Sequence, residues 1–242
     1  MLWIYEDPEA LGEAAAGLIV KHAQQAVSAK GKFSLVLSGG STPVKTYQRL
    51  AHAPFRDRFP WGYTDFFWGD ERLVPSQDKR NNALMARETF LNHAPVSEEQ
   101  IHPIPTHISA AEAARQYEAE IHKYFGAETP RFDLILLGLG ENGHTASLFP
   151  DTPVLEEEER GVAEVYVAEQ DLWRVTMTAP LINQAALVAF LLQGEKKAWT
   201  FRAVLEGPYK PHKLPAQLIK PQRGEIYWLA DQAASSQISR TV

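Results

Sequence analysis

The sequence contains no cysteine and only three methionines among its 242 residues. Disulfide staples, thiolate nucleophiles and cysteine-ligated zinc are thereby excluded, and any chemistry falls to other side chains. Long apolar runs are missing as well. Stretches such as Ala185 to Leu192 fall well short of the roughly 20 residues that cross a bilayer as a helix. Nor is there an excess of positive charge: 24 Lys and Arg against 30 Asp and Glu leave a net charge of -6. Without a basic footprint to neutralise a phosphate backbone, nucleic acid is not an expected partner, and neither is a membrane. The start, Met1-Leu2-Trp3-Ile4-Tyr5 followed by Glu6 and Asp7, lacks the basic region and apolar stretch of an export signal, which predicts a cytoplasmic protein. Three catalytic spellings are also absent: G-x-S-x-G, H-E-x-x-H and G-x-x-x-x-G-K-[ST]. Serine esterase, zinc protease and P-loop nucleotidase readings lose their main support.

What the chain does contain is an alternation of two periods. Apolar runs of strand length occur at Leu2 to Tyr5, Phe33 to Leu37, Phe66 to Trp68, Phe132 to Leu137, Val162 to Val167, Val175 to Thr178, Leu187 to Leu192 and Ile226 to Leu229. Helical spacing separates many of them. Asp7 and Pro8 form a cap and first turn ahead of Leu11, Ala15, Leu18, Ile19, Ala23 and Ala26, and further helices are predicted over Asn82 to Leu91, Ala110 to Phe125 and Glu195 to Leu205. The pattern predicts an α/β fold: one domain over residues 1–242, a doubly wound, largely parallel sheet with helices on both faces. The tail from Gln232 to Val242 is expected to be a short helix or partly frayed.

Three segments at strand ends carry the chemistry. The first, Ser38-Gly39-Gly40-Ser41-Thr42-Pro43, follows a buried run and precedes a helical one. Thr42 is expected to cap that helix with Pro43 in its first turn, so that glycine amides, hydroxyls and the helix dipole together favour an anion such as phosphate. The second, Gly138-Leu139-Gly140-Glu141-Asn142-Gly143-His144, formally spells G-x-G-x-x-G. Pro150 and Pro153 follow too soon for the crossover helix of a dinucleotide site, so that reading is disfavoured. His144 is instead a candidate general base, because imidazole moves protons near neutral pH and the glycine turn puts it at a strand end. The other histidines, His22, His52, His93, His102, His107, His122 and His212, are read as structural. The third segment, Gly69-Asp70-Glu71-Arg72, brings two carboxylates and a guanidinium to the same edge, where Arg72 could clamp a phosphate or carboxylate. Arg174, Lys196 and Lys197 add cations beside later strands.

These residues resemble the family of glucosamine-6-phosphate isomerases and 6-phosphogluconolactonases. The resemblance rests on Leu37 to Pro43, Gly69 to Pro75, Gly143-His144-Thr145-Ala146-Ser147-Leu148-Phe149-Pro150, Arg174-Val175-Thr176, Gly194 to Ala198 and Leu214-Pro215-Ala216, with the second and third of these on the lactonase side of the family. It implies one α/β domain, no metal or organic cofactor, and hydrolysis of 6-phosphoglucono-1,5-lactone to 6-phosphogluconate. It further implies His144 as the base for an attacking water, with Arg72, Arg174 and Lys197 holding phosphate or developing charge and Gly39, Gly40, Ser41 and Thr42 lining the site. The expected partner is thus a small sugar-phosphate lactone, and the chain is expected to be a monomer or weak homo-oligomer. One position departs from the family: Asn142 stands where an aspartate is usual, two residues before the histidine. An amide can orient His144 but supplies no charge, so Asp70 or Glu141 is a candidate supporting acid. Rival readings are an isomerase or deaminase with Asp70 or Glu71 shuttling a proton, and a non-catalytic sugar-phosphate sensor.

Overall fold

The computed structural model describes residues 1–239. Nine strands form: β1 (Leu2–Tyr5), β2 (Phe33–Leu37), β3 (Thr64–Trp68), β4 (Asp70–Arg72), β5 (Leu134–Gly138), β6 (Val162–Val167), β7 (Leu172–Met177), β8 (Leu187–Leu192) and β9 (Glu225–Asp231). Seven α-helices accompany them: α1 (Pro8–Lys30), α2 (Val44–Leu50), α3 (Phe55–Arg58), α4 (Asn82–Thr89), α5 (Ala110–Phe125), α6 (Ala179–Ile182) and α7 (Ala198–Glu206). Local chemistry explains the long ones. Asp7 accepts the Ala10 amide at 2.8 Å, Pro8 opens the first turn of α1, and Gly31 closes it in the left-handed conformation. Ser109 caps α5 and Gly126 ends it with a positive φ of 66°.

Six strands make one parallel sheet in the order β1-β9-β8-β5-β2-β3. Every residue of β2 and of β8 is buried, as two-sided coverage by helices demands. From β2 the chain winds outward to β3, and from β5 it winds the other way, to β8 and β9. The carboxyl ends of β2 and β5 therefore diverge, opening the crevice that such a sheet reserves for ligands. Among the described residues no helix is long and apolar enough to cross a membrane.

The largely parallel sheet agrees with the sequence pattern, but three strands leave it. β4, β7 and β6 form a separate antiparallel sheet, with Asp70 opposite Thr176, Glu71 opposite Val175 and Arg72 opposite Arg174. The charged segment read as lying at a strand end is thus itself a strand. Its three polar residues carry no strand propensity of their own, and β7 supplies the pairing. The tail makes hydrogen-bonded turns over 232–237 rather than a helix. Asp231 and its neighbours bind the amides and hydroxyls there, with Asp231 Oδ1 accepting from Ala234 N at 2.7 Å and Ser235 Oγ donating to the Asp231 carbonyl at 2.9 Å. Residues 240–242 of the expected tail lie outside the described residues.

Candidate active site

Strand ends bring the three segments to one cleft of about 440 Å³. It is lined by Ser38 to Thr42 after β2, Asp70 and Arg72 on β4, Gly138 to Glu141 and His144 after β5, Arg174 on β7, and Gln193 to Lys197 after β8. Gly39, Gly40, Ser41, Thr42, Asp70, Arg72, His144, Arg174 and Lys197 all line it, while Asn142 stands behind the histidine.

Two buried tyrosines hold the strand ends that carry the first and third segments. The Tyr47 hydroxyl accepts from Ser38 N at 2.9 Å and donates to the Ser38 carbonyl at 2.8 Å. Tyr117 does the same for Trp68, at 2.8 and 3.0 Å. The loop after β2 differs from expectation in one respect: Thr42 does not cap α2. The cap position falls on Pro43, in helical conformation and with no side-chain bond to the helix, and α2 is only seven residues long. The Val44 amide turns back to the Ser41 carbonyl instead. An anion at this loop would meet amides and hydroxyls but little macrodipole.

The loop after β5 is built around His144. Gly143 takes a φ of 84°, and a β-carbon there would stand 2.8 Å from the Leu214 side chain. A β-carbon on Gly140 would fall 2.0 Å from His144 Nδ1, so the imidazole lies directly over the glycine. Ala146, two residues on, is held in the left-handed region at φ 46°, a strained position of the kind found at functional sites. No crossover helix follows; Pro153–Glu156 forms a short 3-10 turn.

Asn142 Oδ1 lies 2.6 Å from His144 Nδ1 and also accepts the His144 backbone amide at 3.3 Å. Because a backbone N–H can only donate, the amide atom there is the oxygen, and Nδ1 must carry the ring proton. Nε2 is left with its lone pair. The Phe149 ring stacks on the imidazole with centroids 4.2 Å apart and planes at 16°. Burial pushes the His144 pKa down to about 4; Asp70 pulls it up, and Arg174, Lys197 and Arg72 add to the depression. The ring is neutral at neutral pH.

The antiparallel sheet supplies the charged wall. Asp70 Oδ2 accepts from Ser147 Oγ at 2.6 Å and faces Arg174 Nη1 at 3.5 Å, and Ser147 N donates to Thr176 Oγ1 at 3.1 Å. Arg174 also donates to Gln170 and to Ser147 Oγ, the latter at 3.3 Å, and its guanidinium carbon sits 5.1 Å from the Phe149 ring centroid. Arg72 donates to the Arg80 carbonyl at 2.7 Å. Glu71 does not face the cleft. It is buried and accepts three amides, Asn82 at 2.7 Å, Arg72 at 2.8 Å and Ala83 at 2.9 Å, so that it closes the start of α4. Burial nevertheless pushes its pKa up to about 7 against those bonds. After β8, Gly194 N is held by the Asp231 carboxylate at 3.0 and 3.1 Å, which sets the turn that carries Lys197. Burial lowers the Lys197 pKa, with Glu141 opposing.

Sequence reasoning brought Asp70, Arg72, Arg174, Lys197, the glycine loop and His144 to one edge. Ser147 and Phe149 entered only as letters of the motif around His144, with no role attached, and Gln170 and Asp231 carry no local signal beyond a polar residue near a strand end.

A doubly wound sheet whose diverging strand ends gather cations, hydroxyls and one neutral histidine defines an α/β protein built for a small anionic ligand. Residues 6–228 match the family model described as glucosamine-6-phosphate isomerases/6-phosphogluconolactonase, and the chain belongs to that family. It is 39% identical over 231 residues to a 6-phosphogluconolactonase of Synechocystis sp., covering 93% of each chain. Among solved structures, 6-phosphogluconolactonase from Trypanosoma cruzi superposes with a TM-score of 0.87 at 25% identity, covering 99% of this chain and 97% of that one. A monomeric glucosamine-6-phosphate deaminase superposes with a TM-score of 0.84 over 98% of this chain and 99% of its own, at 21% identity, a likeness of fold alone.

Proposed function

We propose that this protein hydrolyses 6-phosphoglucono-1,5-lactone to 6-phosphogluconate in the oxidative pentose phosphate pathway. The observation that carries the reading is His144: a neutral imidazole with Nδ1 tied to Asn142 and Nε2 free, in a cleft lined by Arg72, Arg174 and Lys197. Its likeness to named lactonases over nearly the whole chain supports the same substrate.

In this mechanism His144 Nε2 takes a proton from water as the oxygen attacks the lactone carbonyl carbon. Charge moves to the carbonyl oxygen, where fixed donors and cations lower the barrier. The tetrahedral adduct then breaks its bond to the ring oxygen, and the imidazolium returns the proton to that oxygen, giving the open acid and a free hydroxyl. Arg72, Arg174 and Lys197, with Gly39, Gly40, Ser41 and Thr42, hold the phosphate and the developing charge. Asp70, anchored by Ser147 and Arg174, orders the wall beside the base and favours the imidazolium as it forms. Asn142 supplies orientation without charge. Residues 1–242 act as one catalytic domain, as a monomer or weak homo-oligomer in the cytoplasm.

The test is hydrolysis of freshly generated lactone, coupled to 6-phosphogluconate dehydrogenase, with the chelator-treated protein and a no-enzyme control for spontaneous opening. Acceleration above that control is expected. Proton exchange at C2 of a hexose phosphate in place of lactone opening would favour the isomerase reading, since hydrolysis leaves that C–H bond intact.

A further inference from the structure

Phe149 is buried and touches two of the groups on which the cleft depends. Its ring lies nearly parallel to the His144 imidazole, and the Arg174 guanidinium stands over the same ring. It belongs to the loop after β5, as His144 does, whereas Arg174 belongs to β7 in the other sheet. A side chain that contacts both is the joint between the two walls of the site. The geometry points to Phe149 as a positioning residue, an aromatic plate shared by His144 and Arg174 that fixes base and cation relative to one another and keeps water off one face of the imidazole. This inference rests on the reading of His144 as the base.

The physical case has two parts. An aromatic face attracts a guanidinium and stacks on an imidazole only within a narrow range of distance and tilt, so one rigid ring constrains both partners. Flexible aliphatic side chains of similar bulk fill the space without that constraint. The second part is desolvation. Burial is the largest cause of the depressed His144 pKa, and Phe149 covers an imidazole face that would otherwise meet solvent. Stacking on an imidazolium works the other way, by attraction of a cation to the ring, and the direction in which the midpoint moves in Phe149→Leu reads which of the two is larger. The charged groups acting on His144 are Asp70 and Arg72 from β4, Arg174 from β7 and Lys197 after β8, with Asn142 from its own loop. Changing Phe149 to another apolar residue leaves Asp70, Arg72, Lys197 and Asn142 with the partners they have, whereas Arg174 loses the ring it stands over.

The experiment is an NMR titration of the His144 ring protons in wild type, Phe149→Leu and Phe149→Tyr, with the resonance assigned by its loss in His144→Gln. In wild type, the ring current of Phe149 is expected to move those protons upfield of the other histidines, and titration is expected near pH 4. Phe149→Leu should abolish the upfield displacement, raise the midpoint by about one pH unit or more, and move the acid limb of kcat/KM by the same amount. Its kcat should fall about tenfold through loss of alignment. Phe149→Tyr, which keeps the plate, should restore all four. A folded Phe149→Leu with unchanged midpoint and acid limb overturns the proposal, as does a wild-type His144 without ring-current displacement, a result that needs no variant to fold. Wild type that titrates as described yet opens no lactone would count against the lactonase reading alone.

Discussion

Two half-buried histidines in this protein stack on phenylalanine rings, and only one of them has a nitrogen to spare. His102 lies 4.3 Å from Phe67 with planes at 7°, much as His144 lies on Phe149. Yet His102 Nδ1 faces Glu120 of α5 at 3.0 Å and Nε2 faces Asp65 of β3 at 3.1 Å, so both nitrogens are consumed in joining a helix to a strand. His144 spends one nitrogen on an uncharged amide and presents the other to the cleft. Aromatic stacking and burial do not distinguish a base from a structural tie. The partners of the two ring nitrogens do.

Replacing each histidine in turn separates base from structural tie. His144→Ala should lower turnover of the lactone by about a thousandfold with the fold intact by circular dichroism. His102→Gln should leave kcat within about threefold but cost about 1 kcal/mol in urea unfolding, because the partly exposed carboxylates of Asp65 and Glu120 lose the imidazole that joins them. A smaller effect is expected from displacing the base without removing it. Gly140→Ala puts a methyl group where the imidazole lies, and a misplacement of that order should cost about a hundredfold in kcat.

A carboxylate partner at position 142 would make the His144 site more like that of His102. Asn142→Asp gives the imidazole a carboxylate partner, which favours the imidazolium and raises its pKa. A base must be unprotonated, so wild-type activity should fall only as pH drops through about 4. In the variant that limb should move upward by about one pH unit, with turnover at neutral pH retained within about threefold. A pH–rate profile reads both. The smallest effect belongs to the loop after β2: Thr42→Ala should change stability by less than about 0.5 kcal/mol, because Thr42 makes no cap bond to α2.

Local signals explain what was legible in the sequence. α1 and α5 announce themselves by caps and periodicity, β5 and β8 by nearly continuous apolar runs, and the ends of β2 and β5 by their clustered glycines. These were enough to bring His144, Asp70, Arg72, Arg174 and Lys197 to one edge. Non-local pairing explains the rest. Asp70-Glu71-Arg72 reads as the end of a strand until β7 pairs with it and sets Arg72 opposite Arg174. Glu71 reads like its neighbour Asp70, although three amides turn it away from the cleft to close the start of α4. Phe149 is legible as part of the motif around His144 but not in its role, since nothing in its spacing tells of a guanidinium arriving from another sheet.

His144 offers a bare Nε2 to the cleft, while both nitrogens of His102 are taken by carboxylates. Nitrogen-15 NMR of the two imidazole rings at neutral pH tests it without substrate or variant. For His144 the expected result is a protonated Nδ1 and an unprotonated Nε2 in a neutral ring. A His144 ring protonated at Nε2, or carrying protons on both nitrogens, would contradict it.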